Sequence, residues 1–480
     1  FSSIRFFIHI FKKIHLFKFK LMTLIKSISG IRGTIGGLTK ENLTPLDVVR
    51  FTTAYAQLLK GKNKSTLTVV TGRDARISGP MIHSLVNQTL VGMGINVINL
   101  ELSTTPTVAV AVPMEKADGG IIITASHNPK EWNALKLLNS DGEFINHLEG
   151  IKIIDFVEFE NPEYSKIDFL GNIIKKENYI DKHIEKALKL KHINSEIIKR
   201  SNFKVVVDGV NSTGGIAVPK LLRQLNVEVV ELNCLPNGLF SHNPEPIEEN
   251  LSEICNAVKQ NNADLGIAVD PDVDRLVFVD EKGDLFGEEY TLVACADFIL
   301  SKEKGATVSN LSSTRALADI THKHGGKHTY SAVGELNVVS EMKKVKAIIG
   351  GEGNGGVILP ELHYGRDAIV GILLFLSLMA EKKISVSELK ATYPHYYMAK
   401  DKIALKKNID LDKILSEIAL KYKNEKLNIE DGLKIDFNEK WVHLRKSNTE
   451  SIIRIYSEAK TKKIANELSL NFLNEISCLT

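Results

Sequence analysis

The sequence predicts three similar α/β units followed by a smaller C-terminal α+β unit, and three observations carry that prediction. At roughly 150 residues per domain, 480 residues suggest about three domains, or four if some are small. From Leu67 onward, short β-branched runs alternate with helical stretches, which is βαβ patterning. Beyond Lys382-Lys383 and Pro394 the pattern changes to paired strands and one long amphipathic helix.

The first unit is placed at residues 22–155. Strands are expected at 67–70 and 95–100, on either side of a helix at 81–92, and the apolar run Gly119-Gly120-Ile121-Ile122-Ile123 reads as a buried strand. A polar, acid-rich stretch at 156–163 and a lysine-rich helix at about 179–190 lead into the second unit, 178–280. Its strands are expected at 205–208, 227–230 and 265–269, with helices at 215–225 and 251–260 between them. The third unit, 281–385, pairs strands at 307–309 and 347–350 with helices near 290–300 and 368–380. The fourth, 395–480, has strands at 441–444 and 452–456 and a terminal helix with Ile464, Leu468, Phe472 and Ile476 at helical spacing.

Composition is that of an ordinary globular chain, 43% hydrophobic and 25% charged, and a formal net charge of +3 makes no general case for a nucleic-acid partner. Residues 1–21 hold five of the 61 basic residues and none of the 58 acids, leaving 56 basic against 58 acidic residues in the rest, a formal −2. Lysines cut the apolar runs of that segment too short to span a bilayer, and it lacks a small-residue cleavage site. Met22 precedes a plausible start, Thr23-Leu24-Ile25-Lys26, so residues 1–21 are expected to be a non-native or disordered extension without function. Cys234, Cys255, Cys295 and Cys478 are scattered and form no C-x-x-C pair, which argues against a disulfide framework or a zinc site. A cytoplasmic protein with no membrane partner is the expectation, with the oligomeric state open.

Four segments carry chemistry. Thr124-Ala125-Ser126-His127-Asn128-Pro129 sets one hydroxyl in a polar turn at the end of the buried strand, which is either an ordinary turn or the site of a covalently modified serine. Asp270-Pro271-Asp272-Val273-Asp274-Arg275 presents three carboxylates at alternate positions past a strand. Asp270, Asp272, Asp274 and Glu281 fall at EF-hand positions 1, 3, 5 and 12, but Arg275 stands where the obligatory glycine belongs. Mg²⁺ suits the triplet better, since acids this close repel one another without a cation. Gly351-Glu352-Gly353-Asn354-Gly355-Gly356 fits G-x-G-x-x-G, yet Val357-Ile358-Leu359-Pro360 follows where a dinucleotide site needs a helix. Glu352 and Asn354 suit the hydroxyls of a polar ligand. Arg445-Lys446-Ser447-Asn448-Thr449 joins two strands and suits a phosphate, or is a solvated hairpin. Arg32 in Ser29-Gly30-Ile31-Arg32-Gly33, and the arginines of Gly72-Arg73-Asp74-Ala75-Arg76, read singly as surface residues.

In this order the four segments resemble the α-D-phosphohexomutase family, over essentially everything from Met22 onward. The resemblance implies α/β/α domains with mixed sheets around a central cleft, and an enzyme that moves a phosphoryl group within a sugar. Ser126 then resembles the phosphoserine, which with Asp270, Asp272 and Asp274 holds one Mg²⁺ per active site. Arg32, Lys136 (in Asn133-Ala134-Leu135-Lys136) and His127 resemble the groups assisting transfer, Lys136 on condition that nearby cations such as Arg32 lower its pKa. Arg275, Glu352, Asn354, Arg445, Ser447, Asn448, Thr449 and Arg454 resemble the substrate-binding set. Pro236-Asn237-Gly238-Leu239-Phe240, His242 and Pro244-Glu245-Pro246 also look like the family's second domain.

Two departures stand out. The phosphate loop reads Ser447-Asn448-Thr449-Glu450-Ser451 rather than S-G-T-E-P, and the sugar loop ends in Gly356 where many members have histidine. The glycine-rich sugar loop, with Gly365-Arg366-Asp367-Ala368 after it, looks most like the phosphoglucosamine mutases of archaeal type. That implies a glucosamine phosphate substrate, a sugar bisphosphate as priming activator and a place in UDP-N-acetylglucosamine synthesis. Mannose or glucose phosphates are the alternative substrates, and a phosphoserine-dependent sugar phosphatase the more remote one.

Overall fold

A computed structural model of the chain describes residues 22–27, 30–61, 64–159, 161–404, 410–446 and 452–479. Four sheets organise it. The first has seven strands: β1 (Ile25–Ser27), β2 (Gly30–Thr34), β3 (Thr68–Arg73), β4 (Asn96–Leu102), β5 (Gly119–Ile123), β6 (Trp132–Leu138) and β7 (Ile173–Lys175), in the order β1-β2-β6-β5-β3-β4-β7. The second has β8 (Lys204–Asp208), β9 (Glu228–Leu232), β10 (Leu265–Val269) and β11 (Leu276–Val279), in the order β11-β10-β8-β9. The third has β12 (Ala306–Asn310), β13 (Lys327–Ser331), β14 (Ile349–Glu352) and β15 (Gly356–Ile358), in the order β13-β12-β14-β15.

One pattern recurs in all three. In the first sheet β4, β3 and β5 run parallel and β6 returns antiparallel to β5; β9, β8, β10 and then β11 repeat this in the second sheet, and β13, β12, β14 and then β15 in the third. The connection from third parallel strand to antiparallel strand is residues 124–131, 270–275 and 353–355 respectively. The serine turn, the acidic triplet and the glycine loop therefore occupy the same position in three copies of one motif. Each lies beyond the carboxyl end of a parallel strand, where open α/β sheets place ligands.

Buried apolar faces hold these layers together. Helix Ala368–Lys382 is buried over residues 368–380, all-round apolar as a helix inside a core must be. Phe375 stacks on Phe278 of β11 at 3.7 Å between ring centroids, which ties the third unit to the second. Asp367 caps that helix, accepting from the Ile369 and Val370 amides, worth about 1 kcal/mol. In β5, a Cβ on Gly119 would stand 2.0 Å from the Tyr55 hydroxyl, which donates to the Leu138 carbonyl, so glycine is required there.

The fourth sheet is antiparallel: β16 (Tyr397–Ala404), β17 (Lys426–Asn428), β18 (Leu433–Asp436), β19 (Lys440–Lys446) and β20 (Ile452–Ala459), in the order β16-β20-β19-β18-β17. Helices Leu411–Lys421 and Lys462–Leu479 cover it. Leu468, Phe472 and Ile476 face that core as their spacing predicts, but Ile464 is 41% exposed and Ala465 takes the buried position. The expected polar connection at 156–163 starts inside helix His147–Phe159, where Phe156 and Val157 pack on the first core. Residues 1–21 lie outside the described residues. Among the described residues no helix is long and apolar enough to cross a membrane.

Candidate active site

The three equivalent connections meet. Ser126 is buried and has φ +50°, a conformation that costs a non-glycine residue on the order of 1–3 kcal/mol. Its neighbours hold it there. The Ser126 amide donates to Thr124 Oγ1 at 2.9 Å, and Thr124 Oγ1 donates to Asp74 Oδ2 at 2.7 Å. Arg76 donates to the Ser126 carbonyl, to those of Asn128 (2.6 Å), Pro129 (2.7 Å) and Trp132 (2.9 Å), and through Nε to Asp74 Oδ2 (3.0 Å). All five guanidinium donors are thus used on one loop and its anchor. Arg76 is 1% exposed, not the surface residue expected from sequence, because burial inside a loop leaves no periodic signal.

Ser126 Oγ donates to Asp270 Oδ2 at 2.6 Å, joining the serine turn to the acidic triplet. Asp270, Asp272 and Asp274 are fully buried, and one carboxylate oxygen from each lies within 4.8 Å of the others. Val273 between them is left-handed at φ +64°, a strained bend for a β-branched residue. Asp270 Oδ1 accepts from the amides of Asp274 and Arg275, both at 3.1 Å. Burial, then Asp272 and Asp274, push the Asp270 carboxyl well above its usual range.

Two protein cations enter the triplet. Lys136 Nζ lies 2.6 Å from Asp272 Oδ2 and 3.2 Å from Asp274 Oδ2, and Arg366 Nη2 donates to Asp274 Oδ2 at 2.8 Å. Burial works to raise Asp274, but Arg366 and Lys136 outweigh it and hold that carboxyl below its usual range. Burial likewise works to lower Lys136, and Asp272 and Asp274 reverse it, so the ammonium is held above its ordinary value. From sequence, Lys136 required nearby cations to lower it; Arg366 does work in that direction, but Asp272 and Asp274 outweigh it. Thr105 adds a further tie, its amide donating to the Asp272 carbonyl at 2.9 Å and its hydroxyl to the Asp272 carboxylate.

Asp272 Oδ1 and Asp274 Oδ1 are buried without a hydrogen-bond partner, an arrangement that leaves two acceptors unsatisfied. With Asp270 and Ser126 Oγ they form an all-oxygen donor set, which fits a hard divalent cation of the Mg²⁺ class.

Cations also ring the serine. His127 Nδ1 is 3.4 Å from Ser126 Oγ, and burial, followed by Arg275 and Arg32, holds the imidazole well below its ordinary 6.5 and hence neutral. Arg32 on β2 is lowered by burial and then by Arg275 and Arg366. Arg275 is buried, pairs with Glu245 at 3.2 Å and keeps Nε without a hydrogen bond.

In the glycine loop, Glu352 accepts from Asn310 Nδ2 (2.8 Å), the Gly334 amide (3.1 Å) and Arg366 Nη1 (3.1 Å). Three of about four acceptor positions are taken, leaving one for a ligand. Asn354 Oδ1 is buried and unpartnered. In the fourth unit Arg445 on β19 faces Arg454 on β20 in register, and Arg445 Nε is 3.2 Å from Asp431 Oδ2. Like charges opposite each other on two strands are destabilising unless an anion joins them. Ser447, Asn448 and Thr449 lie outside the described residues.

The phosphoglucomutase/phosphomannomutase α/β/α domains I, II and III match residues 24–162, 177–283 and 287–396, and the C-terminal domain of that family matches residues 399–475. The chain belongs to the phosphoglucomutase/phosphomannomutase family. As a phosphohexomutase it is an enzyme that shifts a phosphoryl group within its substrate. It is 36% identical over 454 residues to a phosphoglucomutase/phosphomannomutase of Thermococcus kodakarensis, covering 92% of this chain and 98% of that one. A probable phosphoglucosamine mutase of Methanopyrus kandleri is 31% identical over 449 residues, covering 93% and 96%. Among solved structures, a putative phosphomannomutase of Thermus thermophilus superposes with a TM-score of 0.79 at 26% identity, covering 95% of this chain and 98% of that one.

Within this phosphohexomutase the structure brings Ser126, His127, Lys136, Arg32, the Asp270-Asp272-Asp274 triplet and Arg275 to one place, and Glu352 joins them through Arg366. Sequence reasoning missed Arg76, Thr105 and Arg366 as site-building residues, and Glu335, which accepts from Arg366 Nε at 2.9 Å. Arg366 stands in a glycine-led turn 92 residues from Asp274, and nothing periodic in the sequence marks it as the partner of that carboxylate.

Proposed function

We propose that this phosphohexomutase is a phosphoglucosamine mutase, interconverting glucosamine 6-phosphate and glucosamine 1-phosphate through a phosphorylated Ser126 and a bound sugar bisphosphate. The observation that carries the chemistry is Ser126 Oγ, 2.6 Å from Asp270 within a buried carboxylate triplet that has two unsatisfied oxygens. The substrate rests on the relative from Methanopyrus kandleri and on the glycine-rich loop ending in Gly356. Supplying an amino-sugar 1-phosphate for UDP-N-acetylglucosamine synthesis would place the enzyme in the cytoplasm. A second reading, mutase activity on mannose or glucose phosphates, is favoured by the relative from Thermococcus kodakarensis.

Asp270, Asp272, Asp274 and the serine oxygen would hold the Mg²⁺, which supplies neutralising charge to the phosphoryl oxygens. The rest is done by the chain. Arg76 and Thr124 fix the turn that aims Ser126, and Arg32 and Arg275 add positive charge beside it. A sugar hydroxyl attacks phosphorus in line: its oxygen forms the new bond, the Oγ–phosphorus bond breaks with its pair left on Oγ, and the hydroxyl proton ends on Oγ. His127, whose neutral Nδ1 is 3.4 Å from Oγ, would pass that proton, while Lys136 adds its charge beside Asp272 and Asp274. Glu352 and Asn354 orient the sugar, and Arg445 and Arg454 with Ser447, Asn448 and Thr449 grip its distal phosphate. The bisphosphate then turns over and its other phosphate returns a phosphoryl group to Ser126 by the reverse step.

The test is a side-by-side assay of glucosamine, mannose and glucose 6-phosphates with Mg²⁺ and a priming bisphosphate. Preferred turnover of glucosamine 6-phosphate is expected. Preference for mannose or glucose would overturn the substrate, and steady release of free phosphate would favour a phosphatase.

A further inference from the structure

Arg366 occupies a position that the serine, metal and sugar assignments do not explain. It is buried, and its guanidinium meets three carboxylates from three segments: Asp274 Oδ2 in the acidic triplet (2.8 Å), Glu352 Oε2 in the glycine loop (3.1 Å) and Glu335 Oε2 at the start of helix Glu335–Val345 (2.9 Å). Its own amide turns toward Glu335 Oε1 at 3.4 Å. Each nitrogen serves a different carboxylate, so the planar fork fixes their relative geometry in a way a point charge cannot.

Space for it is made by one residue. A Cβ on Gly356 would stand 2.2 Å from Arg366 Cδ and 2.9 Å from its Cγ, closer than any real contact. The loss of a side chain at the end of the sugar loop and the presence of a guanidinium there are thus two halves of one arrangement. Arg366 also keeps its charge, since Asp274, Glu335 and Glu352 outweigh burial and hold it above its ordinary value.

We propose that Arg366 is a positioning residue of the phosphoryl transfer, clamping Asp274 and Glu352 in fixed relation so that the sugar hydroxyl chosen by Glu352 meets the phosphoryl group held over the acidic triplet. The clamp rests on the phosphohexomutase reading of those two loops. It acts through Asp274 and Glu352, and its side-chain hydrogen bonds go to Asp274, Glu352 and Glu335 rather than to Ser126. Removing the fork lets the two loops drift independently, and misplacement of about 1 Å costs on the order of 100-fold in turnover.

The experiment compares Arg366→Lys, Gly356→Ala and the double variant with the wild-type enzyme, in three readouts: kcat and KM for the hexose phosphate, Mg²⁺ affinity by calorimetric titration without substrate, and thermal midpoint. Arg366→Lys keeps the charge and loses the fork. It is expected to lower kcat about 100-fold with KM changed less than about threefold, and to weaken Mg²⁺ binding about tenfold. Gly356→Ala, which adds only a methyl group, should reproduce the same pattern by displacing Arg366. The double variant should be no worse than Arg366→Lys alone, since both act on one contact. Wild-type kcat, KM and Mg²⁺ affinity in folded Arg366→Lys would overturn the proposal, as would a lowered thermal midpoint with all three kinetic and binding values intact. If the wild-type protein turned over no hexose phosphate while Arg366→Lys still weakened Mg²⁺ binding, Arg366 would order the acidic triplet but its role in phosphoryl transfer would fall with the mutase reading.

Discussion

The guanidinium of Arg76 donates to the main-chain carbonyl of Ser126 and so pins a serine held at φ +50° in the one conformation that aims its hydroxyl at Asp270. The strain is local and its support is buried: Arg76 is 1% exposed and Asp74, its partner, is fully buried. Arg76→Met should therefore leave Asp74 without its cation and take one donor from each of four loop carbonyls, which costs about 3–5 kcal/mol in unfolding free energy. Arg76→Lys should recover little of this, since one ammonium cannot span the loop. Urea unfolding followed at equilibrium reads both values, and a loss under about 1 kcal/mol for Arg76→Met would show that the loop holds itself.

Lys136 lies 2.6 Å from Asp272 and 3.2 Å from Asp274, carboxylates that the proposed Mg²⁺ would share with it. Lys136→Met should bind Mg²⁺ more tightly, by about tenfold, while turnover falls by about 100-fold or more. Calorimetry and steady-state kinetics on the same preparation separate the two effects. Weaker Mg²⁺ binding would mean that Lys136 builds the triplet rather than opposing the cation.

Two histidines, His83 buried and His328 partly buried, make the fold acid-sensitive. Burial pushes His83 down to about 4, with Thr71 Oγ1 at 2.9 Å, and His328 down to about 3, with Thr307 and Ser309 on its two ring nitrogens. An unfolded histidine titrates near 6.5, so between that value and the folded one the unfolded chain binds more protons. Stability is then full above pH 6.5 and is lost as pH falls toward 4 and 3. Each residue accounts for about 2 kcal/mol between pH 7 and pH 5. His83→Gln should flatten the pH dependence of urea unfolding by that amount, and an unchanged slope would show His83 already protonated in the folded state.

Much of this was legible in sequence because it is periodic or compositional. The strands at β5, β8 and β10, the helix at residues 368–382 and the three chemical loops announce themselves by apolar runs ended by polar turns. The order of loops, with the family resemblance, sufficed for the fold class and for the class of enzyme, while the substrate rests on a loop composition. What stayed hidden depends on contacts distant in the chain. Arg76 reaches Ser126 across 50 residues and Arg366 reaches Asp274 across 92. Neither has a pattern, because a buried loop arginine looks like a surface one until its carbonyls are known. Lys136 failed for the same reason: its pKa follows Asp272 and Asp274, more than a hundred residues away in sequence.

Asp270 accepts from Ser126 Oγ and from two amides, so Asp270→Asn would change the donor set without emptying the space. That variant should lose Mg²⁺ affinity by on the order of 100-fold while its thermal midpoint stays within a few degrees of the wild type, because the raised Asp270 carboxyl adds little folding stability. Midpoint and calorimetric titration read the two outcomes, and unchanged Mg²⁺ affinity would remove Asp270 from the metal set.

The phosphoryl relay proposed at Ser126 would be loaded and unloaded in every cycle. Intact-mass spectrometry with peptide mapping, on enzyme treated with a sugar bisphosphate and then with excess hexose 6-phosphate, tests it most directly. One phosphoryl group should appear on Ser126 after loading and pass to the sugar on chase, and Ser126→Ala should neither load nor turn over. Mutase turnover by Ser126→Ala, or by wild-type enzyme that never carries phosphate on Ser126, would contradict it.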